Sequence, residues 1–136
     1  PYSALVLDAA LGFAIFAGPR LTARFLTLRR RRQRAEGTRA IVVGAGSAGQ
    51  LIAREAVGSE RANFSVVAFV DDDSSKLGML LNGVRVEGRI DDLPRLIRDF
   101  GAAEVIIAMP SARGSLVRRV VEMATLAGAR TRTVPS

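Results

Sequence analysis

Residues 40–73 read AIVVGAGSAGQLIAREAVGSERANFSVVAFVDDD. The apolar run over 40–43 has the composition of a buried strand, and the glycine-rich residues 44–49 follow it directly. Apolar residues then recur at helical spacing to about Val57, and a second apolar run over 64–70 ends in three aspartates. This order predicts a strand, a tight turn, a helix and a second strand, which is the first half of a dinucleotide-binding unit.

The glycines of that turn suit the binding of a pyrophosphate. Gly44 lets the chain turn sharply, Gly46 keeps side chains away from the phosphates, and Gly49 lets the helix pack closely on the strand. First-turn amides, including those of Ser47 and Ala48, have no partner within the helix and can donate to an anion, which the helix dipole also favours. The loop therefore predicts a phosphate site, although the same glycines can serve close packing alone.

An acidic residue stands where a ribose would be bound. Asp71 follows Gly49 by 22 residues, close to the spacing at which a carboxylate at the tip of the second strand accepts hydrogen bonds from ribose hydroxyls. A carboxylate there repels a 2′-phosphate, so NAD is favoured over NADP. We include Asp72 among the candidate binding residues. The acidic run 71–73 could also be a solvated turn, or could hold Mg²⁺ with phosphate oxygens; we predict no metal site.

Strands and helices keep alternating after the aspartates. The elements expected are a loop with a short helical turn over 74–81, a turn at Asn82-Gly83, a strand over 84–86, a helix capped by Asp91 or Asp92 and ending near Gly101, a strand over 104–109, a helix starting at Ser111 or Ser115 and ending at Gly128, and a strand over 130–134. With short connections, this alternation predicts an α/β fold with a Rossmann-like parallel five-stranded sheet of order 3-2-1-4-5.

Ligands of such sheets lie beyond the carboxyl ends of the strands, where the first strand neighbours the fourth. Met109, Pro110 and Ser111 follow the fourth strand and would wall one side of that cleft, although Pro110 and Ser111 could equally end the strand and cap the next helix. The candidate cofactor-binding residues are Gly44, Gly46, Ser47, Ala48, Gly49, Asp71, Asp72, Met109, Pro110 and Ser111.

The first 38 residues differ in composition from the remainder. The net charge of +7 lies mostly in residues 1–39, which carry eight arginines against two acidic residues. An apolar run over 4–18 precedes Pro19, which we expect to break or kink the helix, and an arginine cluster follows over 29–34. We therefore divide the chain into a membrane-proximal helix with an arginine-rich linker, 1–38, and a nucleotide-binding domain.

An apolar helix followed by arginines is typical of a chain leaving a bilayer on its cytoplasmic side. It predicts membrane association through residues 1–34, with the domain over 39–136 on the cytoplasmic side of the inner membrane. An amphipathic helix packed on the soluble domain, or a linker with no membrane role, remains an alternative. The domain itself is nearly neutral and has no basic stripe interleaved with aromatics, so no nucleic-acid partner is predicted.

The chain lacks the side chains that most catalysis requires. Histidine and cysteine are absent, the only tyrosine is Tyr2, and the only lysine is Lys76, so a Tyr-x-x-x-Lys proton relay cannot be assembled. No catalytic residue is therefore predicted. Because the sequence begins at Pro1 and stops just after its last strand, we expect it to be a segment of a longer protein.

Four segments together resemble one family: IVVGAGSAGQLIARE, VVAFVDDDSSKLGMLLNGVRVEGRIDDLPRLI, AAEVIIAMPSA and AGARTRTVPS. In that order they resemble the N-terminal Rossmann-like, CoA-binding-like domain of membrane-associated nucleoside-diphosphate-sugar epimerases and 4,6-dehydratases of polysaccharide biosynthesis. The resemblance implies a parent with several transmembrane helices and a second, larger Rossmann domain carrying NAD(P) and the catalytic residues. It also implies that residues 44–49, Asp71 and Met109 to Ser111 face a nucleotide.

Two alternatives stay open. The domain type is also similar to the N-terminal half of polyprenyl-phosphate sugar-phosphotransferases, and to non-enzymatic sensors such as redox-sensing repressors and CoA-binding domains. The expected ligand is NAD, with NADP, CoA or a nucleotide sugar as alternatives, and self-association is left open.

Overall fold

The computed structural model describes residues 2–59 and 61–134. The ends of the chain and Glu60 lie outside that description, including Pro135 and Ser136 of the TVPS segment, as do the side chains of the arginine cluster over 29–34. By contacts between Cα atoms, the chain divides into two compact units with the boundary between Glu36 and Gly37.

The first unit is a single helix, α1, Tyr2–Glu36. It runs through Pro19, so of the break or kink predicted there, the break is wrong. Proline removes one backbone hydrogen bond from a helix interior, and a helix of 35 residues continues past that local loss. Its segment Tyr2–Arg24 has a mean hydropathy of 1.6 and is long and apolar enough to cross a membrane by length and composition.

In the part of the second unit that the structure describes, one sheet holds six strands. They are β1 Thr38–Val43, β2 Phe64–Val70, β3 Leu80–Leu81, β4 Val84–Gly88, β5 Glu104–Ile107 and β6 Arg130–Thr133. Their order is β3-β4-β2-β1-β5-β6, and every neighbouring pair is parallel except β3 with β4. Without β3, this is the predicted order of five parallel strands, so the predicted fold class is confirmed.

The sixth strand corrects the loop predicted over 74–81. Leu80 pairs with Arg85 and Leu81 with Val84 in a short antiparallel hairpin. Asn82 and Gly83 form its turn with φ values of 52° and 78°, as a type I′ turn requires at both central positions. The predicted turn therefore does more than connect two elements, because it folds the preceding leucines onto β4. A 3₁₀ turn, Ser74–Lys76, matches the short helical turn expected just before it.

Among the described residues, three α-helices cover the sheet: α2 Ser47–Gly58, α3 Leu93–Phe100 and α4 Gly114–Leu126. The predicted start of α4 at Ser111 or Ser115 is wrong, since Arg113 is its N-cap residue and no described side chain caps it. A turn closed by the Ala112 amide on the Met109 carbonyl, at 3.1 Å, keeps Ser111 ahead of the helix. Asp92 precedes α3 as predicted, but its carboxylate accepts from the Arg89 amide at 2.9 Å instead of capping that helix.

The core has two layers because neighbouring strand residues point to opposite faces. Ile41, Val43 and Val105 pack towards α3 and α4, whereas Val42 and Phe69 pack towards α2. Both faces are thus covered, as expected for parallel strands, and the strand ends with their connecting loops remain accessible to a ligand.

Truncation of a buried residue in the central strand should destabilise the domain. Ile41 is fully buried, so Ile41→Ala should lower the free energy of unfolding by about 2–5 kcal/mol through lost burial and an unfilled cavity. Guanidinium unfolding followed by circular dichroism measures the change. Leu126→Ala is the matched control, because Leu126 is 89% exposed and its loss should cost less than about 0.5 kcal/mol. Equal effects of the two substitutions would contradict this description of the core.

Candidate functional site

Three loops meet at the carboxyl edge of the sheet, following β1, β2 and β5. The Gly44 amide donates to the Val70 carbonyl at 2.9 Å, and the Ala45 amide donates to Asp71 Oδ2 at 2.8 Å. A Cβ built on Gly44 would lie 2.7 Å from both the Ala108 carbonyl oxygen and Met109 Cγ. The structure therefore brings together the glycine loop, Asp71 and Met109, as the sequence predicts.

The three glycines of the motif, Gly44, Gly46 and Gly49, differ in what an added side chain would meet. Gly44 has a φ of +104°, and a Cβ on Gly49 would lie 2.0 Å from the Gly44 carbonyl oxygen, so both positions need glycine for the fold itself. Gly46 has a φ of −83°, and no described atom lies within 4 Å of a Cβ built there. Packing alone thus explains Gly44 and Gly49 but leaves Gly46 unexplained.

The first turn of α2 presents backbone donors beside that open space. Gly46 is the N-cap residue, and the first backbone bond back to it comes from the Gln50 amide at 3.0 Å. Within the described ranges, no hydrogen bond uses the amides of Ser47, Ala48 or Gly49. These three amides are therefore available to an anion, in the geometry that helix N-termini offer to phosphates.

Asp71 is the most tightly held carboxylate of the edge. Its Oδ2 accepts from the Ala45 amide at 2.8 Å and lies 3.3 Å from Lys76 Nζ, and its Oδ1 accepts from the Asp73 amide at 2.9 Å. Burial by itself would raise the pKa of Asp71, but the Asp73 and Ala45 amides and the Lys76 ammonium outweigh it and lower the pKa. Asp71 is therefore ionised at neutral pH.

The other two aspartates point elsewhere. Asp72 Oδ1 accepts from the Ile90 amide at 3.0 Å and lies 3.8 Å from Arg89 Nε, so Asp72 ties β2 to the segment after β4 and does not join the glycine loop. Asp73 caps the turn Ser74–Lys76, and hydrogen bonds from the Ser75 hydroxyl and amide lower its pKa. Among the described residues, no group of three or more metal-ligating side chains converges.

The segment after β5 contributes unequally to the edge. Met109 is half-buried against the glycine loop, whereas Pro110 and Ser111 are exposed beyond it. Since Ser111 does not cap α4, only the strand-ending part of the alternative interpretation stands. The sequence analysis missed Ala45 and Lys76 as partners of Asp71. Lys76 carried a signal, because it is the only lysine and comes five residues after Asp71.

A separate cavity of about 530 Å³ lies at the opposite, amino edge of the sheet. Arg132 lies 4.9 Å above the Phe64 ring there and pairs through Nε with Glu104 Oε1 at 3.0 Å. Its described lining shares no residue with the glycine loop. The cavity is therefore distinct from the predicted nucleotide edge.

Residues 4–135 match the sequence profile of a family described as a CoA-binding domain. The chain belongs to this CoA-binding domain family. It is 32% identical over 96 residues to the probable polysaccharide biosynthesis protein EpsC of Bacillus subtilis, and 30% identical over 97 residues to the capsular polysaccharide biosynthesis protein CapD of Staphylococcus aureus. Each match covers 71% of this chain and 16% of the relative.

Two solved structures share the fold of this chain. UDP-D-quinovosamine 4-dehydrogenase from Vibrio fischeri superposes with a TM-score of 0.66 at 28% identity, over 74% of this chain and 80% of that one. The Rex-family repressor RSP in complex with β-NADH gives a TM-score of 0.59 at 16% identity, over 79% and 58%, and shares the fold. The resemblance to N-terminal domains of polysaccharide biosynthesis proteins is thereby confirmed.

The partners of Asp71 predict a pH dependence of stability. A pKa lowered by folding stabilises the protein fully above the unfolded value of about 4, and that stabilisation is lost as pH falls through the lower folded value. Asp71→Asn should therefore cost about 1–2 kcal/mol at pH 7, and the difference from the parent chain should shrink below about pH 4.

Guanidinium unfolding at a series of pH values tests this expectation. Asp99→Asn is the matched control, since Asp99 forms an exposed pair with Arg95 on α3 and should matter by less than about 0.5 kcal/mol. A difference between Asp71→Asn and the parent that does not change with pH would show that the charge of Asp71 contributes nothing to folding.

Proposed function

We propose that this domain binds a nucleotide at the carboxyl edge of the sheet and does not itself transform it. The diphosphate would accept from the amides of Ser47, Ala48 and Gly49, and the adenosine ribose would lie against Asp71. The observation that carries the proposal is the unfilled space at Gly46 beside unpartnered amides, which packing does not explain. NAD is the first ligand to test, and NADP, CoA and nucleotide sugars are the alternatives.

The parent protein of this domain belongs, in our proposal, to polysaccharide biosynthesis as a nucleoside-diphosphate-sugar dehydratase or epimerase. Two polysaccharide biosynthesis relatives support it, and the domain spans 16% of their length. The sequence offers no histidine, cysteine or Tyr-x-x-x-Lys relay, so catalysis would reside in another part of that parent. The domain would then serve a regulatory or scaffolding role through its bound nucleotide.

A branched side chain at Gly46 should abolish ligand binding while preserving the fold. Gly46→Val would fill the space next to the first-turn amides, yet the added Cβ meets no described atom and should cost only about 1 kcal/mol of stability. Isothermal titration calorimetry of the full 136-residue chain in non-ionic detergent, with NAD, NADP, CoA and UDP-sugars, measures the binding.

Gly58→Val is the matched control for that titration. Gly58 closes the far end of α2, and a Cβ there also has no described atom within 4 Å. Loss of binding in Gly46→Val alone supports the site. Unchanged affinity in Gly46→Val would show that the glycine loop is not part of the binding site. If the unsubstituted chain gave no heat with any ligand, the proposed function would be wrong.

A second proposal concerns α1. We propose that residues 1–34 associate with an anionic membrane and place the domain on the cytoplasmic side. The length and hydropathy of Tyr2–Arg24 support it, together with the arginines that follow. An arginine near an anionic surface contributes about 1 kcal/mol, and salt screens that attraction.

Vesicle sedimentation tests the membrane proposal. The full chain should bind vesicles containing anionic lipid, and replacing the five arginines over 29–34 with glutamine should weaken binding and remove most of its salt dependence. Replacement of Arg113, Arg118 and Arg119 on the folded domain is the control. Equal retention on neutral vesicles at high salt would discount the arginine cluster.

A further inference from the structure

The acceptor positions of Asp71 are mostly occupied by the chain itself. Oδ2 receives both the Ala45 amide and the Lys76 ammonium, and Oδ1 receives the Asp73 amide, which leaves one Oδ1 acceptor position open. A ribose diol that donates from both hydroxyls needs two such positions. The site as built therefore offers a ribose one acceptor from Asp71 and, directly beside it, the donors of Lys76.

Lys76 has donors to spare. Its ammonium carries three N–H groups, of which Asp71 takes one, and its side chain is 32% exposed. Asp72 is turned away towards Arg89, and Asp73 Oδ1 is already bonded to the amide and hydroxyl of Ser75. Within the described ranges, Lys76 is the cation in contact with Asp71, so Asp71 does not present a bare negative charge.

We propose that Lys76 is a specificity-determining residue that binds a phosphate ester on the adenosine ribose of the ligand. The inference rests on the proposed nucleotide site and narrows its ligand class. One ribose hydroxyl donates to the open position of Asp71 Oδ1, and the phosphate oxygens accept from Lys76. A phosphate at the 2′ position, as in NADP, and one at the 3′ position, as in CoA, share this chemistry.

The ion pair of Asp71 with Lys76 changes the ligand preference that the sequence alone implies. A lone carboxylate at the tip of β2 disfavours a phosphorylated ribose by repulsion, which is why the sequence favours NAD over NADP. An ammonium 3.3 Å from the same carboxylate offsets that repulsion, and its further N–H groups can donate charge-assisted hydrogen bonds to a phosphate, which are stronger than those to a hydroxyl. Lys76 can donate its two further N–H groups to the phosphate while it stays paired with Asp71, and Asp71 keeps its two amide partners, so the loop stays in place.

Two pairs of ligands that differ by a single phosphate test the inference. Calorimetry on the full chain compares NADP with NAD, and CoA with dephospho-CoA. In at least one pair the phosphorylated ligand should bind more tightly. Lys76→Met should weaken binding of that phosphorylated ligand about tenfold or more, and binding of the unphosphorylated ligand of the same pair by less than about threefold. Lys76→Arg should retain the preference for the phosphorylated ligand. Arg98→Met, which removes an exposed cation of α3, should change the affinity for neither ligand of the pair.

The outcomes separate this inference from the proposed function. A preference in the NADP pair assigns a 2′-phosphate, and one in the CoA pair assigns a 3′-phosphate. Binding of NAD and dephospho-CoA with rejection of both phosphorylated ligands would overturn the role of Lys76 and leave the nucleotide site standing. Equal weakening of both members of each pair in Lys76→Met would also overturn it. Absence of binding by all four ligands would overturn the inference, and the site would fall with it only if UDP-sugars also gave no heat.

Discussion

The close approach of α2 to the end of β1 is the constraint on which the carboxyl edge depends. A Cβ at Gly49 would lie 2.0 Å from the Gly44 carbonyl oxygen, and Gly44 is itself pressed against Ala108 and Met109. The turn, the helix and the neighbouring strand are therefore fixed against one another within van der Waals distance. Because Ile52 anchors the same helix in the core, its first-turn amides are held at the edge before any ligand arrives, which lowers the ordering cost of binding.

The ionised carboxylate of Asp71 holds the loops of the carboxyl edge together. One carboxylate gathers the Ala45 amide of the first loop, the Asp73 amide of the second, and the Lys76 ammonium. Its charge therefore contributes to the fold, and a substitution at Asp71 would be expected to alter stability as well as the proposed binding. Gly46 differs in this respect, since a Cβ there meets no described atom. In our proposal, Gly46 is therefore the position at which binding can be changed with the least effect on folding.

The sequence predicts much of this fold because its signals are local. Apolar runs mark β1, β2 and β5, and turns at Asn82-Gly83 and Gly128 precede β4 and β6. Other features depend on contacts between distant segments. Leu80 and Leu81 are too short a run to predict a strand, and they form β3 only by pairing with β4. Likewise, the separate directions of Asp71 and Asp72 follow from their different partners, Ala45 and Ile90, which lie on other elements. The loop could thus be predicted, whereas the ion pair within the site could not.

In our proposals, the chain binds anions in two different ways, which follow from how its charge is distributed. Residues 40–136 carry twelve basic and eleven acidic side chains, so general attraction cannot bring an anionic ligand to the domain. Recognition at the carboxyl edge would therefore come from donors at short range, the amides of α2 and the Lys76 ammonium, whose partly buried geometry salt screens weakly. The arginines over 29–34 would act in the opposite manner in our membrane proposal, through a long-range attraction that salt screens beyond about one Debye length. Ionic strength therefore distinguishes the two, because the proposed membrane association should respond to salt far more steeply than nucleotide binding.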